Sequence, residues 1–255
     1  MSGFRGSWLV LVPFWLTVTS AQAAVSLAGT RLIFNGDFRE VSLPVSNRGK
    51  HEVLIQAWLS APEDDDDTPE ERRRRLPFVV MPHLLHLPAE GKQALRVLYQ
   101  GTGAPDDRES LLHLYVLEVP RRREGPNQLN IAVRQRLNVF YRPPGLNGDP
   151  AQTPVLLNWT LAGHSGSVAL RVSNPTPYHA ALQAVQFNGI PIRDHVLLEP
   201  GMSLELPLPL QVSQATPRSI SFKALTDYGG QRPYCMRLKG RESFTSDNLP
   251  LQEEC

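Results

Sequence analysis

Residues 127–142 read NQLNIAVRQRLNVFYR and are closed off by Pro143 and Pro144. Leu129, Ile131, Val133, Leu137 and Val139 fall on one alternating face, while Asn130, Ala132, Arg134, Arg136 and Asn138 occupy the other. Alternation of this kind is the period of a half-buried β-strand. Over sixteen residues it would span roughly 50 Å at ~3.3 Å per residue, against the ~17–20 Å usual in small domains. The run predicts a strand with more length than its own domain needs.

The rest of the chain follows the same rule. Its 23 prolines and 18 glycines are spread throughout, and short alternating runs between turn residues dominate, the pattern of all-β sandwiches. In the first half, strands are expected near 25–34, 38–47, 52–60, 77–87, 91–100, 110–119 and 127–142, the set of one immunoglobulin-like sandwich. RPPGLNGDPAQTP, 142–154, then reads as a linker or domain corner. Alternation resumes in VLLNWTLA (155–162), SVALRVSN (167–174) and HAALQAVQF (179–187), with shorter runs around 192–198, 203–208, 218–226 and 231–238. These predict a second, smaller sandwich. The expected segments are 1–23, a first domain over 24–144, a linker over 145–154, and a second domain over 155–255 with a polar tail after Gly240.

MSGFRGSWLVLVPFWLTVTSAQA, 1–23, has the order of a cleavable secretory signal: Arg5, an apolar stretch from Trp8 to Val18, then the small residues Ala21 and Ala23. It is too short for a comfortable membrane span, and no later run approaches the ~20 apolar residues that a spanning helix needs. An exported protein without membrane insertion is expected. With Arg5 removed, cationic and anionic residues are equal in number, which argues against nucleic acid as a partner. Cys235 and Cys255 are too few for a disulfide scaffold, but in an oxidising compartment they are candidates to pair. The loop they would close, of about 20 residues, is worth ~3 kcal/mol in the chain-entropy model. The charged block EDDDDTPEERRRR, 63–75, reads as a solvated loop.

Signatures of catalysis are weak. His83 and His86 of MPHLLHL would point to opposite faces of a strand and would not converge on a metal. GHSGS, 163–167, lacks the closing glycine of a nucleophile elbow and lies between strands. There is no phosphate-binding glycine loop and no C-x-x-C, and the acidic run is too solvated to tune a general acid. A non-enzyme is expected, with no cofactor, metal or small-molecule substrate.

Several strings, in order, resemble the PapD-like family of periplasmic pilus-assembly chaperones. AVSLAGTRLIF (24–34) is similar to the family's first strand with its Thr-Arg pair, and VSN (45–47) and LIQAWL (54–59) follow. LPFVVMPHLLHL (76–87) is similar to the Pro-Phe…Pro-Pro segment, departing at His83, where a second proline is usual. APDDRESLLHLYVLEVP (104–120) matches the Asp-Arg-Glu-Ser signature, and NQLNIAVRQRLNVFYRP (127–143) the seventh strand with its Phe-Tyr-Arg-Pro ending. VSNPTPYH (172–179) and TDYGG (226–230) match in the second half. The resemblance implies two immunoglobulin-like domains set as an L-shaped boomerang around a cleft. It also implies donor-strand complementation: the chaperone lends its seventh strand to a pilus subunit that lacks its own last strand, then delivers the subunit to an outer-membrane usher.

An unfilled groove and an unpaired strand edge are aggregation hazards, and a strand from another chain removes both by β-augmentation. Leu129, Ile131 and Val133 would be the plugs, giving on the order of 5–9 kcal/mol at ~1.5–3 kcal/mol per buried side chain, before ordering costs. The resemblance further implies that a basic pair grips the subunit's terminal carboxylate. Arg31 of the Thr-Arg pair is one member, and a guanidinium suits this task. The family's lysine falls at Asn138, a departure, and Arg136 on the same face is a candidate to supply the missing charge. Glu109, Arg142 and Asp227 would form an interdomain salt-bridge triad that fixes the domain angle. The short connection RRREGPN, 121–127, goes with chaperones of surface fimbriae. The alternative is a secreted two-domain adhesin or structural pilus component.

Overall fold

The computed structural model describes residues 24–64, 68–72, 74–121, 130–164, 167–209, 219–239 and 243–245. The expected signal segment, Leu129 and Cys255 lie outside the described residues.

The first domain holds β1 (Val25–Leu27), β2 (Arg31–Asn35), β3 (Glu40–Asn47), β4 (Val53–Ser60), β5 (Phe78–Met81), β6 (Leu84–Leu87), β7 (Lys92–Tyr99), β8 (Ser110–Pro120) and β9 (Val133–Arg142). They form two facing sheets, β1-β3-β7-β5 and β2-β9-β8-β4-β6. Alternate residues turn inward to a core that includes Phe34, Leu43, Ile55, Leu95, Val97, Leu114 and Val139, all fully buried.

The second domain starts with a helical turn, α1 (Thr153–Leu156). It continues with β10 (Asn158–His164), β11 (Ser167–Ser173), β12 (Ala180–Phe187), β13 (Ile190–Leu198), β14 (Ser203–Pro207), β15 (Ser219–Leu225), β16 (Gln231–Lys239) and β17 (Ser243–Thr245). These eight strands are hydrogen-bonded in the order β13-β12-β15-β16-β17-β10-β11-β14 around a separate core built on Trp159, Leu170, Leu182, Phe187 and Ile220.

Each domain pins its turns with a buried asparagine from a Val-Ser-Asn string. The Asn47 side-chain amide donates to the carbonyls of His51 (2.8 Å), Leu87 (3.3 Å) and Pro88 (2.9 Å), and its Oδ1 accepts from Gly49 N (2.9 Å). Asn174 donates to Tyr178 (2.7 Å), Leu198 (3.3 Å) and Glu199 (3.2 Å), and its Oδ1 accepts from Thr176 N (3.1 Å). In both places one side chain satisfies carbonyls that would otherwise be buried without donors.

Several expected boundaries shift. The run 25–34 is two strands: Gly29, at φ +110°, turns the chain so that β1 pairs with β3 in one sheet and β2 with β9 in the other. Only glycine takes that backbone angle without cost. The run 77–87 breaks around Pro82, which has no N–H for a ladder; β5 pairs with β7 and β6 with β4. The run 127–142 is a strand only from Val133, because its partner β8 gives it Glu118 as last register mate; Asn130, Ile131 and Ala132 are outside any ladder. Val155 and Leu156, expected in a strand, belong to α1, which has Pro154 in its first turn, where a missing N–H costs nothing. The tail expected after Gly240 contributes β17, paired to β10 and β16.

Candidate functional site

The strand switch at Ala28–Thr30 has a consequence for β9. Strand β2 runs parallel to β9 and pairs with it from Arg31↔Asn138 to Asn35↔Arg142. On its other side β9 pairs with β8 from Val133 onward. Because β1 has crossed to the opposite sheet, the part of β9 before Asn138 is bordered by no strand on the β2 side among the described residues. At the head of that border stands Ile131, 57% exposed, and neither Ile131 nor Val133 belongs to the domain's apolar core.

Inward along β9 point Leu137, Val139 and Tyr141. The outward face carries Arg134, Arg136, Asn138, Phe140 and Arg142, which run toward the second domain. Arg136 is exposed, and Asn138 is half-buried directly beside Arg31. The Arg31 guanidinium lies 5.5 Å over the Phe140 ring, within the range of cation–π attraction. Its Nε is buried and has no hydrogen-bond partner among the described residues. Burial lowers the Arg31 pKa, opposed by the nearby charges of Asp227 and Glu109 and reinforced by that of Arg142. Arg31 faces a cavity of about 550 Å³ between the domains, walled also by Phe140, His179, Asp227 and Tyr228.

Behind Arg31 the domains are joined by an ion network. Arg142 Nε donates to Glu109 Oε2 at 2.7 Å, and its Nη1 and Nη2 donate to the two carboxylate oxygens of Asp227 at 2.7 Å each. Desolvation alone would lower the Arg142 pKa, but the bonds to Asp227 and the charge and bond of Glu109 outweigh it and raise it. Glu109 Oε1 also accepts from the His179 backbone N–H and lies 2.9 Å from His179 Nδ1. Arg142 further lies 5.4 Å over the Tyr178 ring, whose hydroxyl donates to the carbonyls of Leu146 and Gly148.

The expected site residues therefore fall into three groups. Arg31 and Asn138 are side by side, and Arg136 is one step further out on the same face. Glu109, Arg142 and Asp227 are in direct contact. Ile131 and Val133 lie along the open border, while Leu129 is outside the described residues. Cys235, in β16, is disulfide-bonded. In the charged block, the Arg74 guanidinium pairs with Glu63 and its backbone N–H donates to Asp64. His86 bonds Glu52 at 2.9 Å. His179 and Phe140 are site residues that sequence reasoning did not single out. Their one signal was their position inside strings already notable as motifs, VSNPTPYH and Phe-Tyr-Arg-Pro.

Residues 24–147 match the family described as pili and flagellar-assembly chaperone, PapD N-terminal domain, and residues 152–236 match pili assembly chaperone PapD, C-terminal domain. The probable fimbrial chaperone YadV of Escherichia coli K12 is 31% identical over 230 residues, covering 83% of this chain and 89% of that protein. Chaperone protein FimB/FhaD of Bordetella pertussis is 32% identical over 225 residues, covering 84% and 88%. Among solved structures, the Salmonella enterica SafA pilin in complex with the SafB chaperone matches with a TM-score of 0.70 at 26% identity, covering 86% of this chain and 99% of that one.

Proposed function

The chain belongs to the PapD family of pilus-assembly chaperones, and we propose that it protects fimbrial subunits by lending them the head of β9 as a donor strand. One observation carries this reading: on its β2 side, β9 before Asn138 has no strand alongside it among the described residues, and Ile131 stands exposed at its head. A subunit that lacks a strand would gain backbone partners from this border, while Leu129, Ile131 and Val133 fill its groove. Its terminal carboxylate would reach Arg31, whose unpartnered Nε can donate to it, and the Asn138 amide beside it. Asn138 brings a donor but no charge, so this anchor rests on one guanidinium.

The Glu109–Arg142–Asp227 network, with His179, would hold the two domains at the angle that keeps the cleft open to a guest. The protein works in the periplasm by binding, without catalysis, and passes its subunit to an outer-membrane usher. A Cys235–Cys255 bond would tie down the C-terminal tail.

The test is co-expression with a fimbrial subunit in the periplasm. Ile131→Asp should lower the yield of complex about tenfold or more, since it forfeits one buried side chain and sets a charge in an apolar groove. Ile131→Leu should leave the yield nearly intact. Equal yields from wild type and Ile131→Asp would overturn the donor-strand assignment.

A further inference from the structure

Arg136 is not accounted for by the carboxylate anchor. Its position on β9 says something about the guest, on the premise that the open border of β9 receives a guest strand.

The slot itself fixes the direction of that strand. Along the slot, β2 begins at Arg31 and runs parallel to β9. A guest lying in line with β2 and beside the head of β9 therefore meets Arg31 end-on. An antiparallel guest would bring an N-terminal ammonium to a buried guanidinium, and like charges there repel. A parallel guest brings a C-terminal carboxylate, which the unpartnered Arg31 Nε can bind. Charge thus selects the parallel orientation.

The local charge count then limits what else can enter. Arg31 feels Asp227, Glu109 and Arg142; together these four side chains sum to zero, and Asn138 adds nothing. A guest carboxylate leaves the cluster one negative charge in excess. The next cation on this face is Arg136, two residues before Asn138 and so about 7 Å further out along the strand. It is exposed and makes no ion pair among the described residues. At that distance Arg136 lies in the row of the guest's outward side chains. Arg134, a further step out, is already stacked 5.5 Å over Tyr115, whose ring lies flat on Trp58.

We propose that the guest's C-terminal strand carries an acidic side chain at its last or penultimate position, facing Arg136. A guest that abuts Arg31 has these two registers. Arg31 already occupies the place opposite Asn138, so the guest's last residue falls opposite Leu137 or Arg136. Residues in register on parallel strands share a face, so the outward residue next to Arg136 is the penultimate one in the first case and the last in the second. The displaced cation converts a site that would read only a chain terminus into one that also reads sequence.

The probes are nine-residue peptides of alternating threonine and valine with a free terminal carboxylate, bearing Glu, Gln or Lys at the last or the penultimate position. Binding to the full chain is measured by calorimetry for wild type and Arg136→Glu. Glu should bind about two- to fivefold tighter than Gln at one of the two positions and not at the other. In Arg136→Glu the preference at that position should reverse toward Lys. Equal Glu/Gln ratios in both proteins at both positions, with free acids still preferred to the matching amides, would overturn the role of Arg136 and leave the anchor at Arg31 standing. Peptides that fail to bind wild type, or acids and amides that bind alike, would overturn the donor-border premise and this inference with it.

Discussion

The two domains solve the same turn problem with the same side chain and treat their sheet edges differently. Asn47 and Asn174 each reach a carbonyl four residues ahead and two more on a distant turn, and each accepts from the N–H two residues on. The second domain then closes its borders. Its edge strand β13 carries Pro191 and the exposed Arg193, Asp194 and His195, and β14 has only 5 residues. Proline, charge and shortness are the usual defences against stray pairing. In the first domain β1, β5 and β6 are short, with 3, 4 and 4 residues. The head of β9 carries the charges of Arg134 and Arg136 but is neither short nor interrupted by proline, and an exposed isoleucine stands beside it. This border is the one that the proposed donor role uses.

The sharpest way to break the comparison is to uncouple the domains. Arg142→Met leaves Glu109, whose side chain is 2% exposed, without its guanidinium and frees Asp227 from the first domain. Breaking a buried pair from one side costs about 3–5 kcal/mol. The loss should split thermal unfolding into two calorimetric transitions, one per domain, and widen the distribution of domain angles in solution scattering. A single transition at the wild-type temperature would mean that the network contributes nothing to the junction.

That junction also shows where sequence reading succeeds and stops. Alternation located the inward face of β9 at Leu137 and Val139, because burial follows the pleat directly. It overran the strand's start, because pairing length depends on β8, a separate stretch of sequence, which pairs with β9 only as far as Glu118. It also ran straight through Ala28–Thr30, since alternation does not reveal that a strand has changed sheets. The contacts of Arg142 with Glu109 and Asp227 could be expected only through the family resemblance. His179 could not, because its role is set by Glu109, 70 residues away in the other domain.

A smaller effect tests whether the asparagine device is the same in both places. Asn47→Ala and Asn174→Ala each strip the donor from three carbonyls and the acceptor from one N–H. With unsatisfied groups at about 1 kcal/mol or more each, both should cost roughly 4 kcal/mol. Residues 24–255 contain one tryptophan per domain, Trp58 and the fully buried Trp159. Urea unfolding followed by fluorescence in Trp58→Phe and Trp159→Phe backgrounds therefore assigns each loss to its domain. Equal shifts, each in its own domain, sharpen the equivalence; a loss at one site several times the other would end it.

The smallest expected effect separates backbone cost from interdomain contact. Gly201 and Gly229 both sit in the left-handed region, at φ +73° and +79°, where alanine costs about 1 kcal/mol. A methyl on Gly201 would meet nothing within 4 Å, whereas one on Gly229 would come within 2.7 Å of Thr30 Oγ1 in the other domain. Gly201→Ala thus measures the backbone term alone. Gly229→Ala should lose that amount and about 1 kcal/mol more, because a β-branched threonine has few rotamers in which to retreat. Adding Thr30→Ala should remove the excess and return Gly229→Ala to the level of Gly201→Ala. Since Thr30 precedes Arg31, the single variant should also weaken retention of a peptide with a free terminal carboxylate, and the double variant should restore it. If both glycine variants lose the same stability, the close approach of Gly229 to Thr30 does not constrain the domain junction, and the angle rests on the ion network alone.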